Sequence, residues 1–569
     1  MKQTLLFFLF CATVAHAQLS TSPPSTSVRT MAEWEELQTL MVSWKSYTPI
    51  LTEIVRAARA ECKVVICCSS QSTITTAKNT LTAAGVDITS NVEFALLNTN
   101  SVWIRDYGPT AIYANDVDSL LLVDWIYNRN RPEDNTLPER YGQLAGIPVY
   151  ATTVAPYDLV NTGGNFMSDG LGTAFASKLI FRNNDQIQNG EGSTIDDTFG
   201  VTDHTESSID QVMAEFMGID RYIKMEELPF DGIHHIDMHM KLLDEETLLV
   251  GQYPPNTSDG PQMESNLLYV LNNFKTSFGT NFKLVRVPMP SFNNAFPPYA
   301  SNPGLYPTYA NAVFVNKSVI IPQYSHVLDL AARDTFQKYL PGYDVVQINC
   351  NDMIGAGGAI HCITKEIGVS DPLRIVHPSI RYADNTDLET YRVRALVQHR
   401  SGMTSATLFW TTDLSGSWNE LALTPDTAPN YWTGLIPQQS EGATVYYYIQ
   451  ASSVSGKTAV RPLPAPQGYW SFNVLNTTGV QASSLANWQP LFPNPAKAIT
   501  TVPVHFSGKT RGSIYVTNAL GQVVETIFKG EFPVGDANYF IHAERYPAGV
   551  YQVVLQTQNQ QLAQSLVVE

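Results

Sequence analysis

The stretch "GGAIHC" brings Cys362 to the end of a glycine-rich turn, next to His361. A catalytic cysteine needs a stabilised thiolate, an acid–base partner and groups that hold the electrophile. A free thiol, with a pKa of about 8.5, is only partly ionised at neutral pH. Glycines ahead of it allow a tight turn and close approach of a substrate. The alternative is a small core residue, because free cysteine is among the most buried residue types. Candidate partners lie in "HHIDMHMK", where His235, Asp237 and His239 are two apart and face one side if the segment is a strand. Such a row fits a shared metal ion, proton transfer by His235 beside a cation-binding Asp237, or a plain polar face. A third group is "WIRDYGP". Its Asp106 is set among aromatics, where a carboxylate needs either its neighbour Arg105 or an outside cation, with Trp103 as a wall.

Two carboxylates, a histidine and a thiol suit one electrophile. A guanidinium is planar, cationic and ringed by fixed donors. Paired aspartates hold it in place, and its charge favours a thiolate at its central carbon.

In this order "WIRDYGP", "TGGN", "HID" and "GGAIHC" resemble the guanidine-modifying (pentein) superfamily, over roughly residues 30–375. Within it they are similar to the agmatine deiminase and bacterial peptidylarginine deiminase branch. The resemblance implies an α/β propeller of five ββαβ modules around a central site, with no metal and no cofactor. It implies Cys362 as nucleophile, His235 as acid and base, Asp106 and Asp237 as guanidinium ligands, Asn311 of "YANAVFVN" as an active-site amide and Trp103 as a lining residue. The expected product is a ureido group, formed through a covalent thiouronium on Cys362.

The substrate's far end is read from two departures. Agmatine deiminases carry a glutamate before "GGN", and here Thr162 stands there, so an amine lacks its anionic partner. "NRNRPEDN" offers Arg129 and Arg131, two apart, to grip a carboxylate. The segment resembles the secreted peptidylarginine deiminases, whose arginines bind the carboxylate of a C-terminal arginine. The competing reading is a solvated loop paired with Glu133 and Asp134. Gly232 stands where that branch is expected to carry a bulkier aromatic residue. The leading expectation is a deiminase of peptidyl-arginine, preferably C-terminal. The alternatives are a deiminase of agmatine or free arginine, a non-catalytic surface binding protein, and a metal-dependent hydrolase built on His235, Asp237 and His239.

The elements that must position these groups follow from pattern. Helix-like stretches such as "ILTEIVRAARA" and "VLDLAARDTFQKYL" alternate with strand-like runs such as "SLLLVDWIY" and "KLLDEETLLVG" over residues 31–378, which predicts an α/β or α+β domain; the resemblance implies the α/β catalytic one. "NAVFVNKSVIIPQY" predicts a hairpin turning at Asn316-Lys317. Residues 379–475 show only short aromatic and β-branched strands, which predicts a small β-sandwich, and the family resemblance implies that it is immunoglobulin-like. A linker at 476–489 precedes a small β domain at 490–569, where "LFPNPAKA", "ALGQVV" and "YPAGVYQVVL" resemble the C-terminal sorting domain of type IX secretion substrates.

Residues 1–17 read as a secretory signal peptide: Lys2, an apolar run and Ala15-His16-Ala17 before Gln18. Residues 18–30 form a polar lead. The apolar run before Cys11 is too short for a lipoprotein signal, and no later run reaches the roughly 20 apolar residues of a membrane span. Five cysteines follow the signal, an odd number for an exported chain, and Cys62, Cys67 and Cys68 fall in a core-like strand. The net charge of −17 over 569 residues argues against nucleic acid or an anionic membrane as partner. The expected partners are arginine-bearing peptides and the secretion machinery, and the expected location is outside a Gram-negative cell, free or attached to its outer membrane.

Overall fold

The computed structural model describes residues 19–184, 201–253, 259–290, 307–380, 391–474, 486–488, 490–497, 499–506, 508–558 and 560–569. The expected signal peptide lies outside the described residues, as does most of the expected linker.

Five sheets share one order: an antiparallel pair, then a strand parallel to its second member. In the third, Met167–Ser168 pairs antiparallel with Thr173–Ser177, which runs parallel to Arg221–Met225. Met240–Asp244, Thr247–Gln252 and Lys283–Pro288 repeat this, as do Val313–Val315, Ser318–Gln323 and Asp344–Asn349. The second sheet builds the same core from Thr110–Ala114, Ser119–Tyr127 and Val149–Thr152. Residues Leu19–Ser20 and Val28–Thr30, read above as part of a lead, add two short strands to its edges.

The first sheet is assembled from both ends of this region. Leu37–Ser43 and Lys63–Cys68 are parallel, and Lys365–Gly368 lies antiparallel to Leu37–Ser43. That pairing ties residue 365 to residue 41 and so fixes the chain just after Cys362.

Each parallel step is crossed by a helix, as parallel strands require. Thr48–Ala58 begins with Pro49 in its first turn and buries Ile50, Leu51, Ile54, Val55 and Ala58 along one face. The hairpin at Asn316-Lys317 forms as expected, with Asn316 at φ +52° and Val315 opposite Ser318. Cys62, Cys67 and Cys68 are buried and unbridged.

Beyond residue 373 the described strands pair antiparallel, with one isolated parallel bridge between Ala496 and Val568. One sheet runs in the order Arg374–Val376, Arg392–Gln398, Tyr431–Leu435, Thr424–Pro425. The other carries Asn419–Ala422, Met403–Thr411, Thr444–Ser453 and Thr458–Arg461, with Trp470–Asn473 also on Thr444–Ser453. Val393, Val397, Leu408, Val445, Tyr447 and Phe472 are buried in one shared core. Residues 486–569 form two further antiparallel sheets around Val502, Val504, Ile514, Val553 and Leu566.

Candidate active site

The repeated order of the sheets places the chemistry. In each of the five sheets the turn just before the first strand carries a residue of the quoted motifs. Ile104–Tyr107, a four-residue helix ended by Gly108-Pro109, holds Asp106 ahead of Thr110–Ala114. The 3-10 turn Gly163–Asn165 precedes Met167–Ser168, and Ile236–Met238 precedes Met240–Asp244. Asn311 stands before Val313–Val315, and His361–Ile363 before Lys365–Gly368. The turn holding Asp106 packs against those at Gly163 and His361.

Cys362, His235, Asp237, Asp106 and Asn311 are all buried. Asn311 joins two of the others. Its Nδ2 donates to the Asp237 carbonyl at 3.3 Å and to Cys362 Sγ at 3.4 Å. Its Oδ1 accepts from the His361 and Cys362 amides at 3.0 and 3.4 Å. Cys362 Sγ is 4.0 Å from Asp237 Oδ2. Burial, then the nearby charges of Asp237 and Asp106, push the thiol well above its usual range, so it rests protonated. His235 lies between Asp106 Oδ1, 3.6 Å from its Nδ1, and Thr162 Oγ1, 3.5 Å from its Nε2.

Glycines make room for this contact. A Cβ on Gly164 would lie 2.4 Å from His235 Nδ1, and one on Gly358 would lie 2.5 Å from the Trp103 ring and 3.0 Å from Cys362 Sγ. Trp103, half-buried, thus flanks the thiol.

Asp106 Oδ1 and Asp237 Oδ1 are buried without a hydrogen-bond partner among the described residues. Their other oxygens are engaged: Tyr127 Oη donates to Asp106 Oδ2 at 3.5 Å, and Asp237 Oδ2 is 2.7 Å from His361 Nδ1. An uncompensated buried carboxylate oxygen is costly. Two of them near one thiol and one imidazole form a receptor for a planar cation with several N–H donors.

The strand expected through His235, Asp237 and His239 is not formed. His234, at φ +57°, breaks the extended run, and Ile236–Met238 coils into a 3-10 turn, so alternate residues no longer share a face. His239 is buried and pushed down to about 4 by burial, against the pull of Asp237. Among the described residues no three His, Cys, Asp or Glu side chains group as metal ligands. Arg105 does not pair with Asp106 either. Its guanidinium grips Glu366 at 2.8 and 2.6 Å, and its Nε donates to the His361 carbonyl.

Arg129 and Arg131 sit on the loop after strand Ser119–Tyr127. Arg131 Nη1 donates to Tyr127 Oη at 3.2 Å, and Tyr127 in turn reaches Asp106. The acidic residues beside them are otherwise occupied: Glu133 pairs with Arg140, and Asp134 accepts from the Asn100 and Ser101 amides. Among the described residues neither guanidinium forms an ion pair.

Sequence reasoning missed a layer behind the site. His361 is held between Asp237 at 2.7 Å and Glu33 Oε1 at 2.9 Å, and Lys241 pairs with the other oxygen of Glu33. Burial alone would raise the Glu33 carboxyl, but His361 and Lys241 hold it well below the usual range. His361 was visible inside "GGAIHC". Glu33, remote in sequence, gave no local signal.

A sequence profile for the Porphyromonas-type peptidyl-arginine deiminases matches residues 28–367. The chain belongs to this deiminase family. Residues 490–569 match the secretion system C-terminal sorting domain, the tail of type IX secretion substrates, which indicates a secreted or surface-attached protein. Among the described residues no helix is long and apolar enough to cross a membrane. The agmatine deiminase of Pseudomonas syringae pv. tomato is 25% identical over 304 residues, covering 48% of this chain and 77% of that relative. The solved agmatine deiminase of Enterococcus faecalis superposes with a TM-score of 0.51 at 18% identity, over 62% of this chain and 99% of that one. This likeness shows a shared deiminase fold.

Proposed function

We propose that this deiminase converts peptidyl-arginine, preferably at a peptide's C-terminus, to peptidyl-citrulline and ammonia outside the cell. The observation that carries this is the pair of buried oxygens on Asp106 and Asp237 near Cys362 that have no hydrogen-bond partner among the described residues.

The guanidinium donates to both aspartates, with its carbon facing Cys362 Sγ and its face against Trp103. Its charge offsets the two carboxylates that keep the thiol protonated, so the thiol proton passes to His235 as substrate binds. Sulfur adds to the guanidinium carbon, the terminal C–N bond breaks, and His235 returns the proton to the departing ammonia. A thiouronium remains on Cys362. His235 then takes a proton from water, oxygen adds to the same carbon, and the C–S bond breaks to release the ureido product. Asn311, donating to Sγ, steadies the sulfur in both halves.

Tyr127 and Arg131 support the choice of substrate. Tyr127 links the guanidinium site to Arg131, and among the described residues neither Arg131 nor Arg129 forms an ion pair, so a C-terminal carboxylate would complete the charge balance there. Thr162 offers no charge to an amine. The agmatine deiminases among the relatives favour a second reading, turnover of agmatine, in which Arg129 and Arg131 play no part.

The wider reading has residues 31–378 as a five-module propeller, 379–475 as an immunoglobulin-like domain, and 490–569 as the export tail at the outer membrane. The five like-ordered sheets and the two facing antiparallel sheets support it.

The test is citrulline formation on a peptide ending in arginine, the same peptide amidated, and agmatine. Turnover of the free acid should exceed that of the amide at least tenfold, and Arg129→Ala with Arg131→Ala should erase the difference through KM. Preference for agmatine would discard the clamp. A protein that binds these guanidines without turnover would be the surface binding protein instead.

A further inference from the structure

Segment 33–36 lies directly behind the site, and each of its residues has a separate anchor. Glu33 holds His361, which holds Asp237. Glu35 takes the Arg29 guanidinium at 2.6 and 3.0 Å. The other two anchors come from the antiparallel region. Lys457 Nζ pairs with Glu36 at 2.7 Å. Arg461, at the end of edge strand Thr458–Arg461, donates from Nη1 to the Trp34 carbonyl at 2.9 Å and from Nη2 to Glu245 at 3.4 Å.

Arg461 and Glu245 are each only 12% exposed at the side chain, so the contact is largely shielded from solvent. Burial raises the Glu245 carboxyl, offset in part by Arg461 and the Trp34 indole. Trp34 itself is buried in the core of the five-sheet region. Arg461 therefore fixes the backbone one residue from Glu33, and three contacts then reach Asp237: Trp34 to Glu33 by the chain, Glu33 to His361, and His361 to Asp237.

We infer that the β-sandwich completes the active site, with Arg461 as a positioning residue that sets Asp237 through Trp34, Glu33 and His361. The sandwich is then a working part of the deiminase, and a catalytic region cut before residue 379 would hold a poorly placed guanidinium ligand. The inference rests on the reading of Asp237 as that ligand. A displacement of about 1 Å in such a group costs on the order of 100-fold in rate.

The test uses the full chain and two alkylators of Cys362: cationic 2-chloroacetamidine, which the aspartates should attract, and neutral iodoacetamide. Arg461→Met keeps the apolar stem and loses both donors. Arg400→Ala, which removes the contacts of Arg400 to Asp371 and to the Asp118 carbonyl, is the control for a contact of the same kind away from segment 33–36. The wild-type protein should prefer the cation strongly. R461M should lose at least tenfold of that preference with its melting transition intact, and R400A should keep it. Glu33→Gln should lose a similar amount, and the R461M/E33Q double variant no more than the larger single loss, because both act along one path. A wild-type protein without preference for the cation would remove the reading of the site. A wild-type preference retained in R461M, or independent losses in the double variant, would overturn the positioning role alone.

Discussion

At the scale of the residue, Cys362 has two settings. In the free protein burial and two carboxylates oppose ionisation, and in the proposed mechanism a bound guanidinium cancels the carboxylates. Removing one charge should therefore divide reactivity from turnover. Asp237→Asn should lower deimination at least a thousandfold, since one oxygen facing the cation is lost, yet speed alkylation by neutral iodoacetamide about tenfold at pH 7 by easing the thiol's pKa. Parallel assays of citrulline and of alkylation rate check this, and slower alkylation would show that Asp237 does not act on the thiol by charge. The residue types of this chemistry were legible in short motifs, because a nucleophile, an imidazole and two carboxylates leave few electrophiles to choose from. Glu33 and Tyr127 were not legible, because their roles depend on partners far along the chain.

At the scale of the element, strands and the hairpin at Asn316-Lys317 could be read from the sequence, and the 3-10 turns ahead of the sheets could not. Apolar runs marked Ser119–Tyr127 well, whereas "KLLDEETLLVG", read as one strand-like run, folds into two strands, Met240–Asp244 and Thr247–Gln252, turned at Glu245-Glu246. The 3-10 turn at Ile236–Met238 defeated the period of two expected there, because His234 takes a left-handed backbone that only its surroundings impose. The five sheets share an order of pairing while their sequences show no repeat, since topology constrains hydrogen bonding and burial, not identity. The "GGN" turn offers a direct check on what its glycines do. Gly163→Ala would place a Cβ 2.1 Å from the Arg105 carbonyl, a clash with backbone, and should lower stability by about 1–3 kcal/mol in chemical denaturation. Gly164→Ala meets the His235 ring at 2.4 Å and should cost on the order of 100-fold in kcat with a smaller change in stability. The reverse pattern would mean that His235 is free to move aside.

At the scale of the whole molecule, the sandwich holds buried polar contacts at its entry whose sensitivity to acid can be worked out. His377 Nδ1 donates to the Arg394 carbonyl at 2.9 Å, and its Nε2 faces Tyr447 Oη at 3.0 Å. Burial, against that first bond, pushes His377 from 6.5 down to about 4. The sign follows from proton binding. Above pH 6.5 the ring is neutral folded or unfolded. Below it the unfolded chain takes up a proton that the folded one refuses, so stability falls until about pH 4. The slope is roughly 1.4 kcal/mol per pH unit for this group. Melting temperature should drop over that window, and His377→Asn, although less stable at pH 7, should show a shallower drop. Equal slopes would assign the acid sensitivity elsewhere. The sorting domain at 490–569 could be read from short motifs, whereas the docking of Arg461 on Trp34 could not, because it joins residues that only the folded chain brings together.

The central claim is a covalent path through Cys362. The direct measurement is rapid-quench peptide mapping by mass spectrometry of the full chain mixed with a peptide ending in arginine. The expected result is a transient adduct on the Cys362 peptide, equal in mass to the substrate less ammonia, that decays as citrulline appears and is absent in Cys362→Ala, which makes no citrulline. Steady citrulline formation by Cys362→Ala would contradict it.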